Sequence, residues 1–138
     1  MAKRQSKQSG KTGSSENGVI LVVGASNNPT KYGYKIMQNL KSRGITAVPI
    51  NPNEKEILGV KAYKSITEFV SKNKKTKILL VDIVVRPKIT PKILEEVKKL
   101  KIGLVWIQPG AESTGAIEFC KRNKIGAIHR TCIMANYC

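Results

Sequence analysis

The sequence contains few acidic residues, a single histidine and few aromatic residues. Its 138 positions hold 9 aspartates and glutamates against 25 lysines and arginines, and aromatic residues make up 5%. One histidine, with cysteines that form no C-x-x-C pair, excludes the common metal-binding patterns. The scarce aromatics leave no stacking motif of the kind that reads RNA, and no zinc-finger or helix-turn-helix signature is present. The sequence therefore predicts neither a metal centre nor a sequence-reading nucleic-acid module.

Cysteine pairs and long apolar runs are also missing. The three cysteines, Cys120, Cys132 and Cys138, make no even disulfide framework, so we expect free thiols in a reducing compartment. No apolar run approaches the roughly 20 residues that a membrane span needs. The basic start of the chain is followed by polar residues where a secretory signal would carry its apolar region. We therefore predict a cytoplasmic protein that does not enter a membrane.

Positive charge is what the sequence has in excess, with a formal net charge of +16. Residues 1–17 are polar, carry four basic residues and one glutamate, and are predicted to form a disordered tail. Residues 18–138 are long enough for one domain. Such a charge attracts polyanions, which include nucleic acid, an acidic membrane or a phosphorylated small molecule. Because most of the excess is lysine scattered over helix faces and loops, as in SKNKKTK (71–77), we interpret it as a generally basic surface.

Apolar runs alternate with amphipathic segments along the chain. The apolar runs cover residues 19–24, 45–50, 77–87, 103–110 and 125–130, and a short strand near 60–63 would make a sixth. Helical spacing of apolar residues begins near residues 31, 65, 90 and 113, with Ser65 and Glu68 in the capping-box pattern and Ser113 as a second cap. Strands this apolar are typical of parallel sheets covered on both faces. We predict an α/β fold, a three-layer sandwich with a parallel, doubly wound sheet of five or six strands.

The first predicted strand runs into a glycine turn and a helix, LVVGASNNPTKYGYKIMQNL (21–40). Gly24 allows a tight turn, Ala25 and Ser26 are small enough for a phosphate to approach their amides, and the helix begins near Lys31. A helix that starts there directs its free N–H groups at an anion. The segment lacks the G-x-G-x-x-G pattern of dinucleotide sites and the G-K-[ST] pattern of P-loops. It predicts a phosphate-binding corner of another kind.

In a doubly wound sheet the ligand lies beyond the carboxyl ends of the strands. The five predicted corners there are small, polar or proline-containing, and none offers a carboxylate: 24–27, 51–53, 86–87, 108–110 and 130–132. NAD-binding units place an acidic residue after the second strand, where it holds the ribose. Asn51 stands at that place, which disfavours an NAD(P)-dependent enzyme but leaves it as an alternative. A nucleic-acid-associated basic protein is the other alternative.

Five segments carry a resemblance to a known family. VVGASNNPTKYGYKIMQNL (22–40), NPNEKEILGVKAYKSI (51–66), DIVVRP (82–87), WIQPGAES (106–113) and TCIM (131–134) occur in the family's order and spacing. Together they resemble the small stand-alone CoA-binding proteins, which are related to the CoA-binding N-terminal domain of the succinyl-CoA synthetase α subunit. The resemblance implies a Rossmann-like domain, taken as residues 18–138, that holds coenzyme A.

The resemblance also implies which residues contact coenzyme A. The pyrophosphate segment matches Gly24, Ala25, Ser26, Asn27, Lys31, Tyr32 and Gly33. The corner near the ribose and its 3′-phosphate matches Asn51, Pro52 and Asn53, with Lys55 or Lys61 supplying the charge that a lysine often provides in the ligase relatives. The corner of adenine and the pantetheine arm matches Val85, Arg86 and Pro87, and the next wall matches Gln108, Pro109 and Gly110. The thiol end of the ligand runs toward Thr131 and Cys132.

Catalytic residues of the ligase relatives do not recur in this sequence. Those enzymes use a phosphorylated histidine from a second domain, whereas His129 ends an apolar strand and is expected to be structural. Asp82 lies inside the strongest strand, where we expect it to cap or pair locally, and we assign it no role. The expected function is non-catalytic binding of coenzyme A or an acyl-CoA, assisted by basic charge around the mouth of the site.

Two further expectations concern Cys132 and self-association. If Cys132 lies near the ligand thiol, a mixed disulfide with coenzyme A is chemically feasible, and the neighbouring Arg130 would favour the thiolate. The apolar corner WIQPGA (106–111) would serve a homodimer as easily as a ligand wall. The sequence leaves both alternatives open.

Overall fold

The computed structural model describes residues 18–136, so the predictions for the tail (1–17) and for Cys138 fall outside the described residues. Within this range the strands are β1 (Val19–Val23), β2 (Ala47–Ile50), β3 (Glu56–Ile57), β4 (Val60–Lys61), β5 (Ile78–Ile83), β6 (Leu104–Ile107) and β7 (Gly126–Ile128). The helices are α1 (Tyr32–Ser42), α2 (Ile66–Lys72), α3 (Thr90–Lys99), α4 (Thr114–Arg122) and α5 (Ile133–Asn136). Over the same range, no helix is both long and apolar enough to cross a membrane.

Five strands form one parallel sheet in the order β2-β1-β5-β6-β7, as predicted. The segment near 60–63 does not add a sixth strand to it. Instead, β4 pairs antiparallel with β3 in a separate hairpin, and Tyr63 reaches the sheet through an isolated bridge to Ile50. The chain order reverses at β1, because β2 lies on one side of it and β5 on the other. Such a reversal is the switch point at which ligands bind in open α/β sheets.

Helices cover both faces of the sheet. On one face α2, α3 and α4 pack through a core that includes Phe69 and Leu94. On the other face α1 and α5 pack through a second core that includes Leu40 and Ile133. The five residues of β1 alternate between these two cores and are all buried, which explains the unbroken apolar run. The three layers confirm the predicted doubly wound sandwich.

Both edge strands of the sheet are short. β2 contains Pro49, which has no N–H to donate. The chain at Tyr63 lies along the outer side of β2, where Tyr63 N donates to Pro49 O (3.0 Å) and Asn51 N donates to Tyr63 O (2.8 Å). β7, at the opposite edge, has three residues, the first of which is Gly126. The outer side of β2 is therefore already occupied, and β7 is brief.

Serine caps start two of the helices, as predicted. Ser65 Oγ accepts from Glu68 N (3.0 Å) at α2, and Ser113 Oγ accepts from Ala116 N (3.1 Å) at α4. The return bond of the capping box is shifted, since the Glu68 carboxylate accepts from Lys64 N (2.7 Å), one residue before the expected donor. Local side-chain chemistry thus sets these two helix starts.

Three helices, α1, α3 and α4, end in the same way. A residue in the left-handed region follows each of them: Gly44 (φ +76°), Lys101 (φ +59°) and Lys124 (φ +57°). An isoleucine comes next, and its N–H bonds back to the helix: Ile45 to Leu40 O (3.0 Å), Ile102 to Val97 O (3.1 Å) and Ile125 to Cys120 O (2.9 Å). This is the Schellman arrangement, which favours glycine because a Cβ is unfavourable at positive φ. The two lysines are therefore exceptions to the usual residue choice.

Asp82 is enclosed in the core, which corrects the expectation that it caps or pairs locally. It lies in β5 between Val22 of β1 and Trp106 of β6, and its exposed fraction is 0%. Among the described residues, neither of its carboxylate oxygens has a hydrogen-bond partner. Burial raises the pKa of Asp82 well above its ordinary value. The side chain therefore stays neutral at pH values at which an exposed aspartate is charged.

Candidate functional site

The corners that follow β1 and β5 meet at the switch point. Val84 N donates to Val23 O (2.9 Å) where the two strands end. Gly24 turns the chain here with φ +100°, and a Cβ on it would lie 2.3 Å from the Val84 carbonyl oxygen. A side chain at position 24 is therefore excluded by space as well as by backbone conformation.

A second glycine brings α1 onto this turn. A Cβ on Gly33 would lie 2.2 Å from Gly24 O and 3.0 Å from Ala25 Cα. Gly33 is buried in the first turn of α1, so the start of the helix rests directly on the backbone of the turn. The two glycines gather backbone groups of the turn and of the helix start into one corner, which is how a helix N-terminus binds a phosphate.

The N-terminus of α1 has no side-chain cap. Its N-cap residue is Lys31, which makes no capping hydrogen bond, and its first turn contains no acidic residue. By contrast, α2 and α4 are capped by serines. The positive end of the α1 dipole and the exposed Lys31 ammonium group thus lie at the same corner, and both favour an anion.

Two asparagines hold the neighbouring loops in place. Asn51 Nδ2 donates to Ala25 O (2.7 Å) and Asn51 Oδ1 accepts from Asn53 N (2.7 Å), which ties the end of β2 to the glycine turn. Asn27 Nδ2 donates to Glu54 Oε1 (2.9 Å), which ties the same turn to the chain leading into β3. The resemblance implies ligand contacts for both asparagines, but in the structure their side chains fix the geometry of the loops.

A buried glutamine joins the end of β6 to the final turn. Gln108 has an exposed fraction of 0%, its Oε1 accepts from Ile133 N (3.0 Å), and its Nε2 donates to Cys132 Sγ (3.4 Å). Trp106 donates from Nε1 to Thr131 O (2.8 Å) in the same turn. Both the oxygen and the nitrogen of the Gln108 amide therefore make hydrogen bonds, and these bonds hold the backbone at Ile133 and the thiol of Cys132 against the end of β6.

Tyr32 links the start of α1 to this thiol. Its side chain is 44% exposed. A hydrogen bond to the Cys132 thiol, the charge of Cys132 and partial burial raise the pKa of the Tyr32 hydroxyl. Because Tyr32 follows Lys31 directly, the uncapped helix start and the Cys132 thiol are joined through one side chain.

The remaining candidate residues lie at the same edge of the sheet. Those with exposed side chains or surfaces are Pro52, Asn53, Arg86, Pro87, Pro109 and Gly110. Val85 is half-buried against the core, and Ser26 Oγ accepts from Asn28 N (2.9 Å) within the glycine turn. Lys55 and Lys61, on the loop and hairpin beyond β2, are also exposed. The residues that the structure brings into direct contact are therefore those of the β1, α1, β2 and final-turn corners.

His129 and Arg130 follow β7 at this edge. His129 is half-buried, and Arg130, at φ +68°, donates its backbone N–H to the Glu112 carboxylate. This bond fixes the backbone of the turn that leads into Cys132.

Three residues that shape the site escaped sequence reasoning. Val84 limits the space at Gly24, Trp106 holds the final turn, and Glu54 holds Asn27. Each acts through a partner 25 or more residues away along the chain or through a backbone carbonyl, so no local motif signals it. One sequence signal pointed to Trp106, because it is the single tryptophan and lies next to Ile107, the last residue of β6.

Comparison with known proteins matches residues 18–137 to the model of the CoA binding domain family. An ADP-forming acetate–CoA ligase of Methanocaldococcus jannaschii is 39% identical over 110 residues, which cover 79% of this chain and 15% of the ligase. The uncharacterized protein YneT of Bacillus subtilis is 28% identical over 114 residues, which cover 83% of this chain and 81% of YneT. The chain thus spans a small part of the ligase and most of the length of YneT.

A solved structure shares the fold at similar length. The conserved hypothetical protein from Pyrococcus furiosus superposes with a TM-score of 0.79 at 35% identity, covering 85% of this chain and 97% of that one. The likeness confirms the predicted Rossmann-like fold.

Proposed function

Since this chain belongs to the CoA-binding domain family, we propose that it binds coenzyme A or an acyl-CoA across the switch point between β1 and β5, without a chemical step of its own on the acyl group. The observation that carries the proposal is the corner formed by Gly24, Gly33 and the uncapped start of α1. The ligand is strongly anionic, and this corner combines backbone amides, a helix dipole and the Lys31 charge. The pyrophosphate would lie on residues 24–27 and 31–33.

The contact between Tyr32 and Cys132 gives the ligand a direction. On one side of the pyrophosphate corner lies the Cys132 thiol, supported by Gln108. The thiol end of the ligand would run to that side, past Thr131 and the wall at Pro109 and Gly110. On the other side lie β2 and the β3–β4 hairpin, which would receive the ribose and its 3′-phosphate.

The nucleotide end would meet exposed positive charge. Asn53 and Pro52 are exposed after β2, and Lys55 or Lys61 beyond them would neutralise the 3′-phosphate. Asn51 acts there as a positioning residue, because its amide already holds Ala25 and Asn53. Adenine would lie against Val85, Arg86 and Pro87 at the β5 corner.

Binding is favoured over catalysis by the way the polar side chains are used. Asn51 and Gln108 are engaged in holding loops, and Asp82 is enclosed in the core, out of reach of a ligand. An NAD(P)-dependent enzyme is not favoured either, since Asn51 at the end of β2 carries no charge for a ribose.

Calorimetric titration with CoA, acetyl-CoA and 3′-dephospho-CoA tests this proposal. We expect stoichiometric binding of the first two at 0.15 M salt and weaker binding of the third. Lys31→Gln should weaken CoA binding about tenfold, the scale of one charge-assisted contact. Lys92→Gln, which removes an exposed charge from α3, is the matched control and should bind as the wild type does. Failure of the wild type to bind any of the three compounds would contradict the proposal.

The thiol end supports a second proposal, a mixed disulfide between Cys132 and coenzyme A. The Cys132 thiolate would attack oxidised CoA, the symmetric disulfide. A new S–S bond then forms between Cys132 Sγ and one CoA sulfur, and the other CoA leaves as a thiolate. What supports this step is the half-buried thiol held between Gln108 and Tyr32 at the end of the proposed cleft.

Intact-mass measurement without reductant, after incubation with oxidised CoA, tests the disulfide. We expect one added CoA that is lost on reduction, absent in Cys132→Ser and retained in Cys120→Ser. Cys120 is the matched control because it is buried, and burial raises the pKa of its thiol. An adduct that survives Cys132→Ser would rule out this cysteine.

A further inference from the structure

The excess positive charge of the domain is confined to four short segments, which corrects the interpretation of a generally basic surface. They are KSRGIT (41–46), KNKKTK (72–77), KKLKIG (98–103) and KRNKIG (121–126), and they contain twelve basic residues and no acidic residue. Outside these segments and the tail, the chain holds nine basic and eight acidic residues. The remainder of the domain is therefore nearly neutral, and the mouth of the proposed CoA site carries little of the excess.

The topology brings the four segments together. Each joins the end of a helix, α1 to α4, to the start of a strand of the parallel sheet, namely β2, β5, β6 and β7. Because parallel strands begin at one edge, the four segments lie along the amino edge, opposite the proposed CoA site, and are called the basic rim below. All twelve basic side chains of the basic rim are exposed. The tail, with four more basic residues, joins the same edge at the start of β1.

Helix stability accounts for only part of this charge. A cation in the last turn of a helix interacts favourably with the helix dipole, and this explains positions such as Lys72 and Lys98. The helix dipole does not explain Lys74, Lys75 or the other lysines that lie beyond the helix ends. Lys101 and Lys124 even occupy the left-handed position that Gly44 takes after α1. Lysine thus stands at two positions where glycine is conformationally preferred.

We propose that the basic rim binds the phosphate backbone of a double-stranded nucleic acid. The five parallel strands span four intervals of about 4.8 Å, so the rim is roughly 19 Å long. A duplex carries one negative charge per about 1.7 Å of axis, or about 11 charges over that length. Only part of these phosphates face one side of the duplex, so the twelve cations of the basic rim are enough to contact that side even with Lys72 paired to Glu68. Contacts of this kind position a protein on a duplex without reading its sequence.

The side chains of the rim favour a duplex over other polyanions. Among the described residues, Tyr32 is the large apolar residue with an exposed side chain, and it lies at the carboxyl edge, away from the basic rim. The Phe119 ring, 5.9 Å from Lys98 Nζ, is half-buried against the core, so the basic rim offers no exposed aromatic ring on which single-stranded bases would stack. It also offers no apolar face of the kind that inserts into a lipid surface. Attraction between phosphates and the lysine and arginine side chains is what remains.

Fluorescence anisotropy with a labelled 20-base-pair duplex, as DNA and as RNA, tests the proposal on the full chain between 50 and 300 mM salt. The rim variant is Lys75→Glu, Lys99→Glu and Lys121→Glu, taken from three different segments. The matched control has the same charge change at the other edge, Lys64→Glu, Lys88→Glu and Lys92→Glu. We expect wild-type affinity to fall linearly with the logarithm of salt concentration. The rim variant should lose on the order of a hundredfold at 0.1 M salt, with its salt slope reduced by about three, and the control should change much less.

Several outcomes would overturn the proposal. One is a wild type that binds neither duplex, and another is an equal loss in the two variants, because binding would then follow net charge or the tail. Rim-dependent binding to vesicles containing phosphatidylserine, without binding to duplex, would assign the rim to a lipid surface instead. Lys75→Gln, Lys99→Gln and Lys121→Gln together repeat the test without charge reversal, and thermal unfolding verifies that each variant is folded.

Discussion

The two edges of the sheet present positive potential in different ways. At the carboxyl edge it comes from fixed groups, the amides around Gly24 and Gly33 and the start of α1, with a few lysines nearby. At the amino edge it comes from twelve exposed lysine and arginine side chains. Fixed dipoles hold one small anion in one orientation, whereas a row of exposed side-chain charges attracts an extended polyanion in a salt-dependent way. Net charge alone therefore does not locate the small-anion site of this protein.

The largest effect that separates the two edges is expected at Gly33. Gly33→Ala should lower the free energy of unfolding by about 2–3 kcal/mol, because the new Cβ meets Gly24 O and the helix start must move. Gly115→Ala is the matched control, since Gly115 is also the second residue of a helix but has nothing within 4 Å. It should be neutral or stabilise by up to about 1 kcal/mol. Urea unfolding followed by circular dichroism measures both, and equal effects would show that α1 does not rest on the turn.

A smaller effect is expected at Asp82, which is buried in β5 between the two edges. Burial raises the pKa of Asp82 in the folded protein. The contribution of the protonated side chain to the free energy of unfolding is therefore fully present below the ordinary aspartate pKa, and it is lost as pH rises toward the raised pKa. Asp82→Val should therefore raise the free energy of unfolding at pH 7 by about 1–3 kcal/mol. Asp82→Asn, which keeps the shape without titrating, should gain on the wild type as pH rises from 4.

Urea unfolding of the wild type and both variants between pH 4 and pH 8 measures this difference. Parallel curves for the wild type and Asp82→Asn would show that Asp82 does not change its protonation on unfolding.

The smallest expected effect lies at the amino edge. Lys101→Gly should stabilise the protein by about 1 kcal/mol, because glycine removes the Cβ from a left-handed position. Lys98→Gly, the same replacement inside the last turn of α3, should destabilise by up to about 1 kcal/mol. Thermal denaturation of the two variants would show opposite shifts, and shifts of the same sign would contradict the left-handed conformation at Lys101.

The fold was predictable because its signals are local. The apolar run of β1 and the serine caps at Ser65 and Ser113 each depend on neighbouring residues, and each marks an element where the structure has one. The segment near 60–63 was harder, since its pairing with β3 and the Tyr63 bridge to Ile50 join parts of the chain that no short pattern connects.

The site was predictable in position and less so in detail. Gly24 was identified from the turn and Gly33 from the family resemblance, and the structure gives both a close approach to backbone. The use of Asn51 and Gln108 was not, because their partners lie 24 to 26 residues away in sequence. The basic rim needed the topology as well. Its lysines look scattered along the chain until parallel strands bring four helix ends to one edge.

The obstruction of β2 has a consequence for self-association. An exposed strand edge invites strand addition from another copy, which is a common route to aggregation. Here Pro49 interrupts the donors of β2 and Tyr63 already occupies its outer carbonyl and amide partners, while β7 offers three residues. Strand addition by another copy is therefore blocked at the Pro49–Asn51 end of β2 and limited to three residues at β7, which favours contacts through helices or loops.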